Sequence, residues 1–187
     1  NHTWYHTDQS YTRNNLECIQ SWVTGLDVHD GDATLAFLEG SNRYHKDFAD
    51  HFKITDKSDW YKLTESEEDW YKSKGCVPKK IFCPKGSLVF WDSRTIHCGV
   101  EADKHRHDQN FRAIVYLCYL PRSLCTSANL KKKVKYLEEL RTTNHYPQKP
   151  KVFSKEARTY GGPSVPEITP VSPPVLTPLG RRLAGID

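Results

Sequence analysis

The sequence predicts a mainly β domain, folded as a jelly roll or a barrel-like double sheet. Short apolar runs alternate with Gly, Pro and Asp turn signals over most of the first 126 residues, a pattern typical of antiparallel strands. One amphipathic helical pattern follows these runs, so sheets rather than helices are expected to build the core. The chain of 187 residues is 37% hydrophobic and 27% charged, which is typical of one globular domain.

The candidate strands follow one another in a simple order. The apolar runs LECIQSWVTGLDV and ATLAFLEGS flank a His-Asp-Gly-Asp turn at 29–32, and we predict two strands joined by that tight turn. Three short strands are then predicted in KKIFC, SLVFWDS and TIHCGV, which Pro and Gly separate. The strongest strand pattern is FRAIVYLCYL, after a charged loop.

An insertion at about 43–75 interrupts the strand pattern. It is rich in acids and lysines, contains DWYK twice, at 59–62 and at 69–72, and is expected to be helical in part. Its tryptophans and tyrosines either form a lid over an apolar substrate or pack on the sheet. The sequence leaves both alternatives open.

The end of the chain has a different composition. Apolar residues recur at helical spacing in SANLKKKVKYLEELRTT, which predicts one helix within 127–145. Eight of the eleven prolines lie after Tyr146, a composition that favours an extended tail over a packed core. The predicted division is therefore a β core at 1–126, a helix at 127–145 and an extended tail at 146–187.

Charge and composition disfavour several classes of function. The net charge of +4 is spread over interspersed acids and bases, which argues against a dedicated nucleic-acid binder. No apolar run approaches the roughly 20 residues of a membrane helix, and the N-terminus lacks the pattern of a signal peptide. We expect a cytoplasmic protein whose six cysteines are reduced structural thiols, with a zinc site or a disulfide as the alternative.

Three residues form a candidate metal site. In a strand, His6 and Asp8 point to the same face, so HTD presents an imidazole and a carboxylate to one point. His97, between two apolar strands, is the best-placed third ligand. Two histidines and one carboxylate are typical of iron(II) sites that keep positions open for a co-substrate and O2. From spacing alone, a chance HxD and a solvated turn histidine remain open alternatives.

The other histidines lie in polar or charged surroundings, and a solvated role is expected for each: His2, His29, His45, His51, His105, His107 and His145.

Four ordered segments resemble the phytanoyl-CoA dioxygenase family of Fe(II)/2-oxoglutarate oxygenases. They are HTDQS, QSWVTGLDVHDGDATLAFLEGSNRYH, GSLVFWDSRTIHCGV and FRAIVYLCYLPRS. The resemblance implies a double-stranded β-helix (jelly roll) with flanking helices, and it implies iron ligands at His6, Asp8 and His97.

The resemblance also implies co-substrate residues. Arg112 occupies the place of the arginine that holds the far carboxylate of 2-oxoglutarate, a role that suits a planar guanidinium on a strand. Arg106 competes for this role from a charged loop. Trp22 and Gln20 either line the co-substrate pocket or belong to the core. The DSR segment at 92–94 is expected to orient His97.

One departure from the family concerns the start of the chain. Related enzymes carry a helical segment and a first barrel strand before HxD, whereas five residues precede His6 here. We therefore expect either that the chain lacks an N-terminal portion or that a partner fragment completes the barrel.

The leading hypothesis is an Fe(II)/2-oxoglutarate-dependent dioxygenase that hydroxylates a small organic molecule and releases succinate and CO2. Its expected cofactors are Fe2+, 2-oxoglutarate and O2, and its expected partner is a small-molecule substrate, not a nucleic acid or a membrane. Related halogenases replace the carboxylate, so Asp8 argues against halogenation. The alternatives are a non-catalytic jelly-roll binding or assembly module and, less well matched, a cupin-like zinc hydrolase.

Overall fold

The computed structural model of the chain describes residues 4–105, 112–153, 159, 161–163 and 172–187. The chain divides into two compact units, Asn1–Leu117 and Cys118–Asp187. The predicted boundaries after residues 126 and 145 stay predictions.

Two antiparallel sheets form the first unit. In chain order the strands are β1 His6–Thr7, β2 Ile19–Thr24, β3 Thr34–Glu39, β4 Tyr61–Lys62, β5 Val77–Lys80, β6 Leu88–Asp92, β7 His97–Val100 and β8 Ile114–Tyr119. One sheet has the order β4-β1-β7-β3-β5, and the other has the order β6-β2-β8. The prediction of a mainly β, antiparallel fold is confirmed, and the arrangement is consistent with a jelly roll.

The predicted hairpin between β2 and β3 is wrong. Both strands form, and Gly31 adopts the positive φ of 85° that the turn between them requires. However, β2 pairs with β6, whereas β3 pairs with β5 and β7 in the other sheet. The connection therefore runs from one sheet to the other. The prediction failed because an alternating apolar pattern indicates a strand but does not indicate which strand pairs with it.

The insertion contains the helices that the sequence predicts there. A 3-10 turn at Ser41–Tyr44 leads into α1, His45–Phe52, and α2 spans Glu65–Ser73. Thr64 begins α2 with a capping box, since its hydroxyl accepts from the Glu67 N–H and the Glu67 carboxylate accepts from the Thr64 N–H.

Aromatic stacking within the insertion and onto Tyr11, in the turn after β1, builds much of the core. Phe48 of α1 stacks on Tyr71 of α2, with ring centroids 5.0 Å apart, and on Tyr11, at 4.4 Å. All three side chains are buried. His45 is buried as well, stacked on Tyr11, so the expectation that it is solvated is wrong. Its ring fills space in an aromatic cluster that the local polar sequence does not reveal.

The second unit contains two helices. The predicted helix is present as α3, Ser127–Glu138, with Thr126 as its N-cap. A further helix, α4, spans Pro178–Ala184 inside the segment that was predicted to be extended. Thr177 caps α4, Pro178 occupies its first turn and Gly185 ends it with a φ of 87°. None of the helices in the described part of the chain is long and apolar enough to cross a membrane.

Candidate metal centre

Strand pairing brings together two residues that are far apart in the sequence. His6 of β1 and His97 of β7 are directly opposite each other in the antiparallel ladder. Residues in such a pair point to the same face of the sheet, and the two imidazole centroids are 4.5 Å apart. Asp8 follows β1 immediately, so its carboxylate reaches the same face.

The three side chains converge on one point. The distance from His6 Nε2 to Asp8 Oδ1 is 3.6 Å, and that from His97 Nε2 to Asp8 Oδ2 is 3.3 Å. One ligand atom from each residue lies within 4.8 Å of the other two, and all three residues are buried. Two atoms bound about 2.1 Å from one ion at right angles are about 3 Å apart, so this donor set fits a single divalent cation.

Hydrogen bonds on the outer side of each imidazole orient the two histidines. Nδ1 of His97 lies 2.8 Å from the Thr95 carbonyl, and Nδ1 of His6 lies 3.3 Å from the Trp4 carbonyl. A carbonyl only accepts, so these contacts assign the proton to Nδ1 in both rings. The Nε2 lone pairs are therefore directed towards Asp8, as metal ligation requires.

Gln20 of β2 holds the carboxylate. Its side-chain Nε2 donates to Asp8 Oδ2 over 2.7 Å, and the residue is buried. The sequence leaves open whether Gln20 lines a co-substrate pocket or belongs to the core, and the pocket role stays a prediction. The geometry adds a second role, the orientation of Asp8.

The DSR segment forms hydrogen bonds to residues on both sides of Asp8. The Thr7 hydroxyl donates to the Ser93 carbonyl over 3.3 Å, and the Ser93 hydroxyl donates to the Gln9 side chain over 2.7 Å. Asp92 and Arg94 form an ion pair with each other at 2.6 Å. The segment therefore holds Thr7 and Gln9 on either side of Asp8. The Asp92 carbonyl also accepts from the N–H of Thr95, whose own carbonyl contacts His97, and the predicted orientation of His97 by this segment stays a prediction.

Four buried polar atoms close to the triad have no hydrogen-bond partner among the described residues. They are Gln20 Oε1, Trp22 Nε1, Trp91 Nε1 and Arg112 Nη2. Gln20 and Trp22 share one face of β2, and Trp91 lies opposite Gln20 on β6. The Trp91 ring is 5.5 Å from the His97 ring. Unpaired buried polar atoms are costly, so a group of them beside a metal site indicates a polar ligand.

Arg112 reaches the strand that carries His97. Its guanidinium carbon is 5.6 Å from the centroid of the Trp22 ring. A Cβ on Gly99 would lie 3.8 Å from Arg112 Nη1, and Gly99 is on the same face of β7 as His97. The structure thus brings Arg112, Trp22 and Gln20 to the surroundings of the triad. Arg106, the competing anchor, lies outside the described residues.

Trp4 and Trp91 are neighbours of the site that the sequence did not predict, and Trp60 belongs to the insertion whose tryptophans were predicted either to cover a substrate or to pack on the sheet. The ring of Trp4 stacks on His6 with centroids 4.8 Å apart, and Trp60 is 5.6 Å from the same ring. Trp4 precedes His6 by two residues, so strand alternation was a usable signal for it. Trp60 comes from the insertion, and no local pattern links it to His6.

No protein-family model matches the chain. Among curated proteins, the Ava biosynthesis cluster protein O of Aspergillus versicolor is 27% identical over 156 residues, which cover 78% of this chain and 49% of that protein. The chain thus spans about half the length of this curated relative. These comparisons do not assign it to the phytanoyl-CoA dioxygenase family.

Among solved structures, the chain is similar to the crystal structure of the epimerase SnoN in complex with Fe3+, alpha ketoglutarate and nogalamycin RO. The sequence identity is 17% and the TM-score is 0.37, with 62% of this chain and 40% of that chain covered.

Proposed function

We propose that this chain carries the iron site of an Fe(II)/2-oxoglutarate-dependent oxygenase, with His6, Asp8 and His97 as the metal ligands. The observation that supports this most strongly is the convergence of two imidazole Nε2 atoms and one carboxylate on one point. Two histidines and one carboxylate leave several positions of an octahedral ion open, which is the arrangement that non-haem iron oxygenases use.

The surroundings of the triad favour this proposal over a zinc hydrolase. A zinc hydrolase needs one open position for water, whereas a 2-oxoglutarate enzyme must also hold a dianion. The unpartnered Arg112 Nη2 and the indole N–H groups of Trp22 and Trp91 are donors suited to such an anion. We therefore assign the far carboxylate of 2-oxoglutarate to Arg112.

When bound, iron together with 2-oxoglutarate and O2 supplies the oxidising chemistry, with release of succinate and CO2. The chain's own residues supply the geometry. Nδ1 of each histidine holds its proton against a backbone carbonyl, and Gln20 fixes the Asp8 carboxylate. We propose hydroxylation of a small organic molecule as the outcome, within a closed double-stranded β-helix.

The direct test is to replace each ligand in turn. We expect His6→Ala, Asp8→Ala and His97→Ala each to lose tight Fe(II) binding and 2-oxoglutarate-dependent succinate release while staying folded, because the triad lies outside the aromatic core. His29→Ala is the matched control, since His29 is exposed.

Two outcomes would change this assignment. Stoichiometric iron binding by any one of the three variants would remove that residue from the ligand set. Iron binding without succinate release in the unmodified chain would favour the non-catalytic binding module. Circular dichroism on every variant separates loss of the metal from loss of the fold.

A further inference from the structure

Two tryptophans contact His6 and remain partly exposed to solvent. The Trp4 ring is nearly parallel to the imidazole, with an interplanar angle of 8°, and the Trp60 ring is tilted by 38°. Their residues are 39% and 52% exposed. Indoles are large apolar surfaces that normally gain stability by burial, so two half-exposed indoles beside one buried ligand require an explanation.

The backbone at Trp60 is held in an unfavourable conformation. Its φ is 66°, in the left-handed region that an aromatic residue rarely adopts. The Trp60 N–H donates to the Asp8 carbonyl over 3.3 Å, and the preceding Asp59 carboxylate accepts from the Ser10 N–H and from Arg13. The loop that follows the metal ligand therefore fixes this indole in place. Such enforced strain is concentrated at ligand-binding positions.

The two copies of DWYK show that Trp60 is not placed there by the core. In the second copy, Trp70 packs edge-on against Phe48 at 5.5 Å, and the neighbouring Tyr71 is fully buried. In the first copy, Tyr61 packs against Tyr11 at 5.2 Å, whereas Trp60 turns out towards His6. The tryptophan of the second copy therefore packs in the core, whereas the tryptophan of the first copy contacts the proposed metal ligand His6.

Trp4 contacts β7 as well as His6. A Cβ on Gly99 would lie 3.6 Å from Trp4 Cζ2, an ordinary van der Waals distance, so the indole lies against β7 at this glycine. The same glycine adjoins the Arg112 guanidinium, as described above. Trp4 therefore extends from His6 towards the side of the site where the co-substrate is proposed to bind.

We propose that Trp4 and Trp60 form a stacking site for a planar aromatic ring of the substrate, at the rim of the metal centre. This inference rests on the proposed function and adds the substrate class to it. Flat π-faces in fixed positions favour a flat π-system, because stacking adds attraction beyond the burial of apolar area. A saturated, flexible chain gains only the burial and loses conformational freedom on binding.

The experiment compares two probes of the same carbon skeleton. We would titrate 2-naphthol and its saturated counterpart trans-2-decalol into the full chain loaded with Mn2+ and 2-oxoglutarate, using calorimetry. We expect 2-naphthol to bind about tenfold more tightly than the decalol. Trp4→Leu and Trp60→Leu should each weaken 2-naphthol binding about tenfold, while Trp60→Phe should retain most of the affinity.

Controls separate this inference from the proposed function. Phe82→Leu removes an exposed aromatic side chain that makes no ring contact with His6 among the described residues, and it should bind 2-naphthol normally. Equal binding of the two probes, no binding of 2-naphthol, or unchanged affinity in both Leu variants would overturn the stacking site alone. A separate Mn2+ titration of the unmodified chain precedes the probes, and failure to bind Mn2+ there would overturn the metal centre and the stacking site together.

Discussion

At the scale of single residues, the carboxylate of Asp8 connects most of the site. One oxygen lies near His6 Nε2, and the other lies near His97 Nε2 and accepts from Gln20. A hydrogen bond to the second oxygen occupies one of its lone pairs and limits rotation of the group. Asp8 therefore owes its orientation to a residue on the opposite sheet.

This arrangement predicts the behaviour of Gln20→Met, which keeps the side-chain volume and removes the donor. Fe(II) affinity should fall about tenfold to a hundredfold, as for other groups that orient metal ligands. Competition with a chelator measures this affinity, and calorimetry measures that of 2-oxoglutarate. If only the affinity for 2-oxoglutarate falls, Gln20 binds the co-substrate and does not orient Asp8.

Arg112 permits a second test at the same scale. Arg112→Lys keeps the charge but loses the forked geometry, so the affinity for 2-oxoglutarate should fall by about 1.5 to 3 kcal/mol, roughly one to two decades. Arg112→Ala should weaken it further. Arg106→Ala is the matched control and should change little. A severe defect in the Arg106 variant alone would move the carboxylate anchor to that residue.

At the scale of elements, the first residue of α1 contacts the loop that follows Asp8. The buried His45 ring lies with Nε2 3.2 Å from the Ser10 carbonyl, two residues after Asp8. Burial is the largest effect and lowers the pKa of His45 to about 4, with a smaller lowering from Arg94. Asp92 and the carbonyl contact oppose this change only partly.

The lowered pKa predicts acid lability. The folded protein binds the proton less well than the unfolded chain, whose histidine pKa is near 6.5, so the contribution of His45 to stability is complete above that pH. As the pH falls from about 6.5 to about 4, up to about 3 kcal/mol should be lost. Denaturant unfolding at several pH values measures this loss, and His45→Gln should show a flatter profile. Identical profiles for both proteins would exclude His45 as the source.

At the scale of the whole chain, metal binding should raise the free energy of unfolding. A cation that binds only the folded triad stabilises it by about 2.7 kcal/mol when present at a hundredfold excess over its dissociation constant. We expect Mn2+ to raise the denaturant midpoint of the unmodified chain, a chelator to reverse this, and Asp8→Ala to show no response. An equal response in Asp8→Ala would place the cation elsewhere.

Local patterns predicted the elements better than their partners. Most of the strands, helix α3 and the HTD geometry follow from a periodicity of two or 3.6 residues, and that information is local. The helices of the insertion were expected from its composition alone, and the strand predicted in KKIFC begins earlier, as β5 at Val77–Lys80. The separation of β2 and β3 into different sheets depends on which edges meet in three dimensions, which a turn motif does not encode. Helix α4 was missed because proline content outweighed the caps at Thr177 and Gly185.

The candidate site shows the same division: residues that local patterns bring together were predicted, and neighbours contributed by distant loops were not. The convergence of His6, Asp8 and His97 is the part that strand alternation and the resemblance of four motifs predicted. The roles of Arg112, Trp22 and Gln20 towards a co-substrate stay predictions. The indoles around His6 depend on a loop that returns to β1 from the insertion. His45 lies among Arg43, Lys46 and Asp47 in sequence, whereas its ring stacks on Tyr11, which is distant in sequence, so its burial depends on a contact that local charge does not indicate.

The antiparallel pairing of His6 with His97 has a consequence for the order of folding. Asp8 lies close to His6 in the chain, but His97 joins them only after most of the first unit has been traversed. Closing such a long loop is slow relative to local contacts, so the nascent chain holds at most two ligands. The full affinity for the metal ion, which needs all three ligands, should therefore arise in one late step, when β7 pairs with β1. In stopped-flow refolding, the time at which the chain takes up the metal should therefore report when β7 pairs with β1 and the sheet is complete.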